Sequence, residues 1–167
     1  MNIHLIRHGE TIENTQHILQ GTMPGTLNDI GKEQIASSAV ILRQYNIDRI
    51  LCSDLKRCID SAEIIRKQLA TIPFSTTPLL RERDWGSLTG ITIDLDKKFA
   101  VPNDAESVKN MQKRAQKFFE YCKTFNEQNI LAISHGLFIR CLRSVASGID
   151  MAELPRIKNA EIITITI

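Results

Sequence analysis

The sequence predicts an α/β fold in three layers, with a mainly parallel sheet between helices and a short cap segment. Short apolar runs alternate with longer segments of helical period along the 167 residues, the pattern of strands interleaved with helices. No repeat, low-complexity tract or linker interrupts this alternation, so we expect one domain over residues 1–167. The chain is 43% hydrophobic and 24% charged, as in an ordinary globular protein.

The first half of the chain is predicted to contain two strands and two helices. Residues 2–7 (NIHLIR) form a short apolar run close to a glycine, which is typical of a buried strand. Residues 20–28 are rich in Gly, Thr, Pro and Asn and are predicted to be a loop. The apolar spacing predicts a helix over residues 29–45. A second strand is expected over residues 48–52, and Ser53 is predicted to be the N-cap of a helix that ends near residue 69.

The central segments differ in how clearly their pattern indicates structure. Residues 74–77 lie between two prolines and are predicted to be a third strand. Residues 81–105 lack periodicity, and we interpret them as a functional loop with room for one short helix. Residues 106–125 carry a continuous apolar face and form the best-defined predicted helix of the chain. Residues 129–134 (NILAIS) are predicted to be a buried strand.

The last two predicted elements are a helix over residues 137–146, which ends at Gly148, and an edge-type strand over residues 160–167. In parallel sheets the functional residues gather at the carboxyl ends of the strands. At the ends of three predicted strands the chain carries Arg7-His8-Gly9, Ser53 with Arg57 one helical turn on, and Ser134-His135-Gly136. We therefore expect these groups to lie close together.

Composition excludes several classes of partner. The net charge of +2 and the aromatic content of 5% are too low for a nucleic-acid interface. No apolar run approaches the roughly 18 residues of a membrane helix, and the N-terminus does not resemble a secretory leader. The four cysteines form no CxxC pair, and we expect reduced thiols in a cytoplasmic protein.

Two His-Gly pairs, each directly after a short apolar strand, are unusual in a chain with four histidines. Two imidazoles and Arg7 at one sheet edge would form a cationic, hydrogen-bonding pocket that suits a phosphoryl group. Arg57 adds a second guanidinium near a helix N-terminus. Each residue alone is better interpreted as a turn, capping or surface residue, so the prediction depends on their combination.

Cleavage of a phosphomonoester also calls for a carboxylic acid beside the leaving oxygen. Glu82 and Asp84 lie in a glycine-bearing loop of low periodicity and are the two candidates. Sequence spacing does not choose between them.

Further short blocks follow one another in a recognisable order. They are Arg7-His8-Gly9-Glu10-Thr11 with Asn14, Leu27 to Gly31, Ser53-Asp54-Leu55-Lys56-Arg57, Leu80 to Gly86 with Gly90, Pro102 with Glu106-Ser107 and Arg114, and Ser134-His135-Gly136. In this order, and over nearly the whole chain, they resemble the motifs of the histidine phosphatase superfamily, in its phosphoglycerate mutase-like branch with the RHG signature. The chain departs from the family pattern at Asn28, which replaces a Thr, and by one extra residue between Pro102 and Glu106.

The resemblance implies catalytic roles. His8 would attack phosphorus to give a phosphohistidine that water hydrolyses. Its imidazole must then be neutral at one nitrogen, with the tautomer fixed by a hydrogen bond from the other nitrogen to a backbone carbonyl. Arg7, Arg57 and His135 would hold the phosphoryl oxygens. Glu82 would protonate the leaving oxygen and then activate water. Such a pocket needs neither a metal nor another cofactor.

The resemblance also implies substrate-binding positions around the phosphate. Asn14 would complete the phosphate contacts, with backbone amides near Gln20 and Gly21. Gly136 follows the second histidine and shares its binding motif. Arg83, directly after the acid position, hints at binding of a substrate carboxylate, as in the mutases. The substrate itself is expected to be a small phosphorylated metabolite.

Several functions remain open at this stage. The predicted cap, about residues 91–105, is short, and an open pocket admits water, which favours a phosphatase over phosphoglycerate-mutase-type transfer. A phosphohistidine protein phosphatase is a second alternative, against which the presence of Glu82 counts. A non-catalytic phosphate-binding module is a third.

A metal-binding protein that uses His4, His8, His17 and His135 is the remote fourth alternative, since His4 and His17 are better interpreted as ordinary structural or surface residues. The oligomeric state is also open, although the alternating C-terminal strand offers an edge for a homodimer.

Overall fold

The computed structural model describes residues 1–94 and 99–167. The strands are β1 (Asn2–Arg7), β2 (Arg49–Ser53), β3 (Phe74–Thr77), β4 (Asn129–Ser134) and β5 (Ile162–Thr166). The α-helices are α1 (Ile12–Thr15), α2 (Asp29–Leu42), α3 (Lys56–Arg66), α4 (Val108–Cys122) and α5 (Gly136–Ser147). The predicted α/β class with a mainly parallel sheet is confirmed.

The five strands form one sheet in the order β3-β2-β4-β1-β5. All neighbours run parallel except β5, which pairs antiparallel with β1 and forms one edge, as its alternating sequence predicts. In the register of β1 and β4, Arg7 lies opposite Ser134. The residues that follow these two positions are His8 and His135, so the topology brings both imidazoles to the same edge of the sheet.

The central strands alternate their side chains between two separate cores. Ile3 and Leu5 of β1 pack with α4 and α5 on one face of the sheet, while Ile6 packs with α2 and α3 on the other. β4 alternates in the same way, because Ala132 belongs to the first core and Ile133 to the second. A strand buried on both faces is a near-continuous apolar run. This is the physical reason for the sequence patterns of β1 and β4.

Most helix ends have the expected chemistry, with one correction. Asn28 and Ser107 cap α2 and α4 by accepting hydrogen bonds from backbone N–H groups of the first turn. Gly148 ends α5 in the left-handed conformation, with φ of 74°. The prediction that Ser53 caps the third helix is wrong, because Ser53 is the last residue of β2 and α3 has Leu55 at its N-cap.

In its described residues, the segment predicted to be a functional loop contains one short 3-10 helix, Gly86–Leu88. Residues 91–93, which follow this 3-10 helix, pair with the loop after α1. Ile93 N–H donates to the His17 carbonyl at 2.9 Å, and Leu19 N–H donates to the Ile91 carbonyl at 2.9 Å. Residues 95–98 of the predicted cap lie outside the described residues. Among the helices in the described ranges, none combines the length and apolar character that crossing a membrane requires.

Candidate active site

A cavity of about 480 Å³ opens at the carboxyl ends of the parallel strands. Its wall includes eight of the residues that the sequence analysis assigned to the site: Arg7, His8, Asn14, Gln20, Gly21, Arg57, Glu82 and Gly136. They come from four separate stretches of the chain, which the parallel topology brings together. Two predicted site residues, Arg83 and His135, are not part of this wall.

The two hydrogen bonds of the His8 ring define its tautomer. Nδ1 lies 2.7 Å from the Gly9 carbonyl oxygen, and Nε2 lies 3.2 Å from the Nε atom of Arg57. A carbonyl only accepts and a guanidinium only donates. Nδ1 therefore carries the proton, and Nε2 presents its lone pair to the cationic side of the pocket.

Burial lowers the pKa of His8 well below its usual value, and the positive charges of Arg57 and Arg7 lower it further. The pKa of His135 is also well below its usual value, mainly because the ring is buried and then because Arg57 lies nearby. Both imidazoles are consequently neutral at neutral pH. A neutral His8 is the form whose Nε2 can act as a nucleophile.

Backbone carbonyls hold the guanidinium of Arg57 in place. Its Nη1 donates to the Met23 carbonyl at 2.5 Å and its Nη2 to the Gly21 carbonyl at 2.9 Å, while Nε contacts His8. The side chain is 1% exposed, and α3 places it in the first helical turn. Among the described residues it has no carboxylate partner, so its charge is available to an anion.

Arg7, at the end of β1, is a second cation of the cavity. Its Nη1 donates to the Ile157 carbonyl at 3.0 Å, and its buried Nε has no hydrogen-bond partner within the described chain. A Cβ atom at position 136 would lie 3.3 Å from this Nε. Gly136 therefore leaves room for the Arg7 side chain at the N-terminus of α5.

His135 lies directly behind the cavity wall, with its ring centroid 5.3 Å from that of His8. It is fully buried, its Nε2 shares a hydrogen bond of 2.8 Å with the Ser53 hydroxyl, and the Cys58 sulfur lies 3.4 Å from the same nitrogen. Ser53, which the sequence analysis assigned to a helix cap, thus orients the ring of His135. The predicted contact of His135 with a phosphoryl oxygen stays a prediction.

The structure separates the two candidate acids. Glu82 lines the cavity, and its carboxylate accepts backbone N–H bonds from Arg83 at 2.8 Å and from Leu137 and Phe138 at 3.1 Å. The last two donors belong to the first turn of α5. Asp84 instead accepts the Gly86 N–H, at 2.9 Å, and lies outside this cavity wall. Of the two, Glu82 is the carboxylate that lines the same cavity as His8.

The structure places Arg83 outside this cavity wall, and its assignment to substrate binding stays a prediction. Its Nε donates to the Glu106 carbonyl at 2.7 Å, and its guanidinium stacks on the Trp85 ring at 4.5 Å. Arg83 therefore ties the loop after Glu82 to the start of α4, away from the cavity. Adjacent residues of an extended segment point in opposite directions, which explains why Glu82 and Arg83 do not share one site.

Asn14 and Gln20 line the cavity, but both also form part of its scaffold. Asn14 closes a capping box with Thr11 at the start of α1, and Gln20 donates to the Thr11 hydroxyl at 2.9 Å. The helix α1 is absent from the sequence-based prediction, because four residues are too few to show a period. Gly21 has φ of 49° and supplies the carbonyl that holds Arg57.

Three residues from the last third of the chain complete the cavity and were missed by sequence reasoning: Asn159, Arg140 and Arg156. The Asn159 amide donates to the His8 carbonyl at 3.0 Å and contacts the Asn14 Oδ1 at 3.3 Å. Asn159 and Arg156 lie in a connection without periodicity, and Arg140 lies on the polar side of an amphipathic helix. No signal in the sequence alone separates them from surface residues.

His8 and His17 line the cavity and His135 lies directly behind its wall, whereas His4 lies elsewhere. His4 hydrogen-bonds the Thr164 hydroxyl at 2.9 Å and packs edge-on against the Tyr45 ring. Over residues 1–94 and 99–167, no group of three His, Cys, Asp or Glu side chains is arranged to hold a metal ion.

Comparisons with known proteins agree with this geometry. The profile of the histidine phosphatase superfamily (branch 1) matches residues 3–167. The chain is 32% identical over 151 residues to a probable phosphatase of Schizosaccharomyces pombe, which covers 86% of this chain and 72% of the relative. It is 31% identical over 157 residues to a broad-specificity phosphatase of Saccharomyces cerevisiae, with 85% and 68% covered.

Among solved structures, the alpha-ribazole phosphatase from Shigella flexneri superposes with a TM-score of 0.87 at 25% identity, over 100% of this chain and 91% of that one. The sheet order, the His8 pocket and these similarities lead to one conclusion: the chain belongs to branch 1 of the histidine phosphatase superfamily and is a phosphatase.

Proposed function

We propose that the chain hydrolyses a small phosphorylated metabolite, a phosphomonoester, through a phosphohistidine formed on His8 and without a metal ion. The observation that carries the proposal is the His8 tautomer. The Gly9 carbonyl fixes the proton on Nδ1, so the lone pair of Nε2 is directed toward Arg57 in the cavity. Turnover of an aryl phosphate by the wild-type and His8→Ala chains tests it.

In the first step the Nε2 lone pair attacks phosphorus, and the bond from phosphorus to the leaving oxygen breaks. Arg57 Nε donates a hydrogen bond to the Nε2 lone pair at 3.2 Å. Before the attack, this hydrogen bond has to break, and Arg57 Nε then donates to a phosphoryl oxygen instead. The bonds of Arg57 to the Gly21 and Met23 carbonyls hold the guanidinium in place during this exchange. Arg7, with its unpartnered Nε, supplies the second donor. Charge that develops on the phosphoryl oxygens is then stabilised by these two guanidiniums.

The carboxyl group of Glu82 has one position left for a proton. Oε1 accepts two N–H bonds, from Arg83 and Phe138, and Oε2 accepts one, from Leu137. Each carboxylate oxygen has two lone pairs, so the second lone pair of Oε2 is open. In the proposed first step Oε2 delivers its proton to the leaving oxygen.

In the second step water attacks the phosphohistidine. Oε2 of Glu82 takes a proton from the water, the bond from phosphorus to Nε2 breaks, and inorganic phosphate leaves. The Nε2 lone pair and the protonated Glu82 are then restored, so one ester and one water give one alcohol and one phosphate. His135, held by Ser53 behind His8, is proposed to donate to a phosphoryl oxygen in both steps.

Substitution of Glu82 by Gln is expected to slow alkyl phosphates more than aryl phosphates. An alkoxide is a poor leaving group and needs the proton, whereas an aryl oxide departs with less help. We expect kcat/KM to fall by about 10²- to 10⁴-fold for an alkyl ester, the range typical of general acid catalysis, and by much less for 4-nitrophenyl phosphate. Steady-state kinetics on both esters measures the difference.

Stability has to be measured on the same variant. The amide nitrogen of Gln would take the place of one carboxylate oxygen and face a backbone N–H, which costs about 1–3 kcal/mol. Asp84→Asn is the matched control, because Asp84 lies outside the cavity wall. Equal slowing of both esters by Glu82→Gln, in a folded variant, would make the acid role of Glu82 untenable.

The mutase alternative depended on Arg83 as a ligand for a substrate carboxylate. Arg83 instead lies outside the cavity wall, bonds the Glu106 carbonyl and stacks on Trp85, which weakens the argument for this alternative. Glu82 in the same cavity as His8 also favours a phosphate ester over a phosphoramidate, since a phosphoramidate needs less acid help.

A further inference from the structure

Four arginines line the cavity, and the mechanism uses two of them. Arg7 and Arg57 lie at the inner end near His8, while Arg140 and Arg156 are additional. Within the two described ranges, none of the four forms an ion pair with a carboxylate. Glu82 and Glu10, the acidic residues of the wall, have their own hydrogen bonds to backbone N–H groups and to Asn28. The proposed mechanism thus leaves two arginines of the cavity wall, Arg140 and Arg156, without a role.

The chain on both sides of Arg156 is fixed against the site. The carbonyl of Pro155 accepts from Arg143 at 3.1 Å, and the carbonyl of Ile157 accepts from Arg7 at 3.0 Å. Arg156 itself is exposed and makes no hydrogen bond to the rest of the described chain. The backbone beside Arg156 is thus held by Arg7, while the exposed Arg156 guanidinium makes no hydrogen bond within the described chain.

Arg140 lines the same cavity as Arg156 and lies one helical turn after Gly136 on α5. Its Nη2 donates to the Met151 carbonyl at 2.5 Å, and its Nε is buried without a hydrogen-bond partner in the described chain. Burial lowers the pKa of Arg140, and the charges of Arg156 and Arg143 lower it further. Two guanidiniums in one cavity wall, neither with an ion pair among the described residues, can each donate charge-assisted hydrogen bonds to an anion.

Besides its arginines and other polar residues, the cavity wall has an apolar part. Its members are Ile18, Leu19, Trp85, Ile93, Phe99 and Leu137. The cavity volume of about 480 Å³ lies within the range of sites that bind ligands much larger than phosphate. A ligand that fills it would place apolar atoms along this wall and reach Arg140 and Arg156.

We propose that Arg156 and Arg140 form a second anion subsite, and that the substrate is a phosphomonoester whose apolar leaving group ends in a further anionic group, a carboxylate or a second phosphate. This inference rests on the proposed function, because it assumes that the ester phosphate occupies the inner pocket beside His8. In this proposal Arg156 and Arg140 select the leaving group.

The test uses three phosphonates, which bind but are not hydrolysed: phenylphosphonate, 4-carboxyphenylphosphonate and 1,4-phenylenebisphosphonate. Calorimetry measures their affinities for the wild-type chain, Arg156→Gln and Lys158→Gln. Lys158 is the matched control, because it is exposed, lies two residues on and is outside the cavity wall. Both variants lose one positive charge from the same surface, and neither removes a buried side chain.

We expect the wild-type chain to bind at least one of the two doubly anionic ligands about tenfold more tightly than phenylphosphonate, as for one charge-assisted hydrogen bond. Arg156→Gln should lose this advantage and keep its affinity for phenylphosphonate within about twofold, while Lys158→Gln should keep both. A larger gain for the carboxylate or for the second phosphonate identifies the anionic group.

Phenylphosphonate binding with no gain from either second anion, or equal losses in both variants, would overturn the subsite alone. Failure of all three ligands to bind would overturn the inner phosphate pocket, and the inference with it.

Discussion

The His8→Ala chain is expected to lose turnover of 4-nitrophenyl phosphate by on the order of 10⁴-fold or more, since the covalent intermediate of the proposed mechanism forms on His8. The reason is geometric. Nε2 of His8 carries the lone pair that faces the Arg57 guanidinium, and the His135 Nε2 is occupied by the Ser53 hydroxyl at 2.8 Å. Neither Ser53 nor Cys58 replaces it, because both are fully buried behind the wall, and burial raises the pKa of the Cys58 thiol to about 12.

The matched control for this prediction is His4→Gln. His4 is a buried imidazole on the same strand, but it bonds Thr164 and packs on Tyr45 outside the cavity wall. We expect its activity to stay within about threefold of wild type, as for residues without a role in the transition state, and a chelator to leave the wild-type rate unchanged. Thermal melts of both variants test whether they are folded. Substantial activity in His8→Ala would remove the mechanism.

Loss of Arg57 is the second large effect that we expect. Arg57→Met should lower kcat/KM by about 10²- to 10³-fold, the cost of removing one preorganised donor to a developing oxyanion. Arg57→Lys should recover little of this loss, because an ammonium group cannot reproduce the planar fork that binds His8, Gly21 and Met23 together. Arg81→Met is the matched control, since Arg81 pairs with Asp54 on the surface.

The pH profile separates a direct role of Arg57 from a merely structural one. Arg57 lowers the pKa of His8, and only the neutral imidazole attacks phosphorus. The wild-type chain should therefore stay active at pH values below the usual histidine pKa of about 6.5. Without the positive charge, the His8 pKa rises, and Arg57→Met should lose activity at a higher pH on the acid side. Arg57→Lys keeps the charge and should show a smaller shift. Identical acid limbs in Arg57→Met and wild type would contradict the assignment.

The fold is predictable from the sequence where burial determines the pattern. β1, β3 and β4 have the predicted bounds, and the amphipathic face that packs α4 onto the sheet is visible in its period. Helix ends are less well predicted: α2 ends at Leu42 rather than at residue 45, and α3 at Arg66 rather than near residue 69. Apolar residues beyond these points still pack on the core, so the periodic pattern outlasts the helix.

The inner site is predictable because its residues occupy strand ends, whose position in the sheet follows from topology. The Gly9 carbonyl as partner of His8 is an example, since the resemblance implies a carbonyl and the structure supplies it. The direction of a side chain in an irregular loop is not predictable in this way. Arg83 was expected in the site, and the structure places it outside the cavity wall. Arg156 has the sequence context of a surface residue, and the tertiary contacts of its neighbours place it at the cavity.

A crystal structure with orthovanadate tests most directly whether one tetrahedral anion is held where the two strand ends meet. Vanadium should lie at bonding distance from Nε2 of His8, with oxygens that contact the guanidiniums of Arg7 and Arg57 and the ring of His135. Vanadate bound through Nδ1, or seated at Arg140 and Arg156 with the inner pocket empty, would contradict the account.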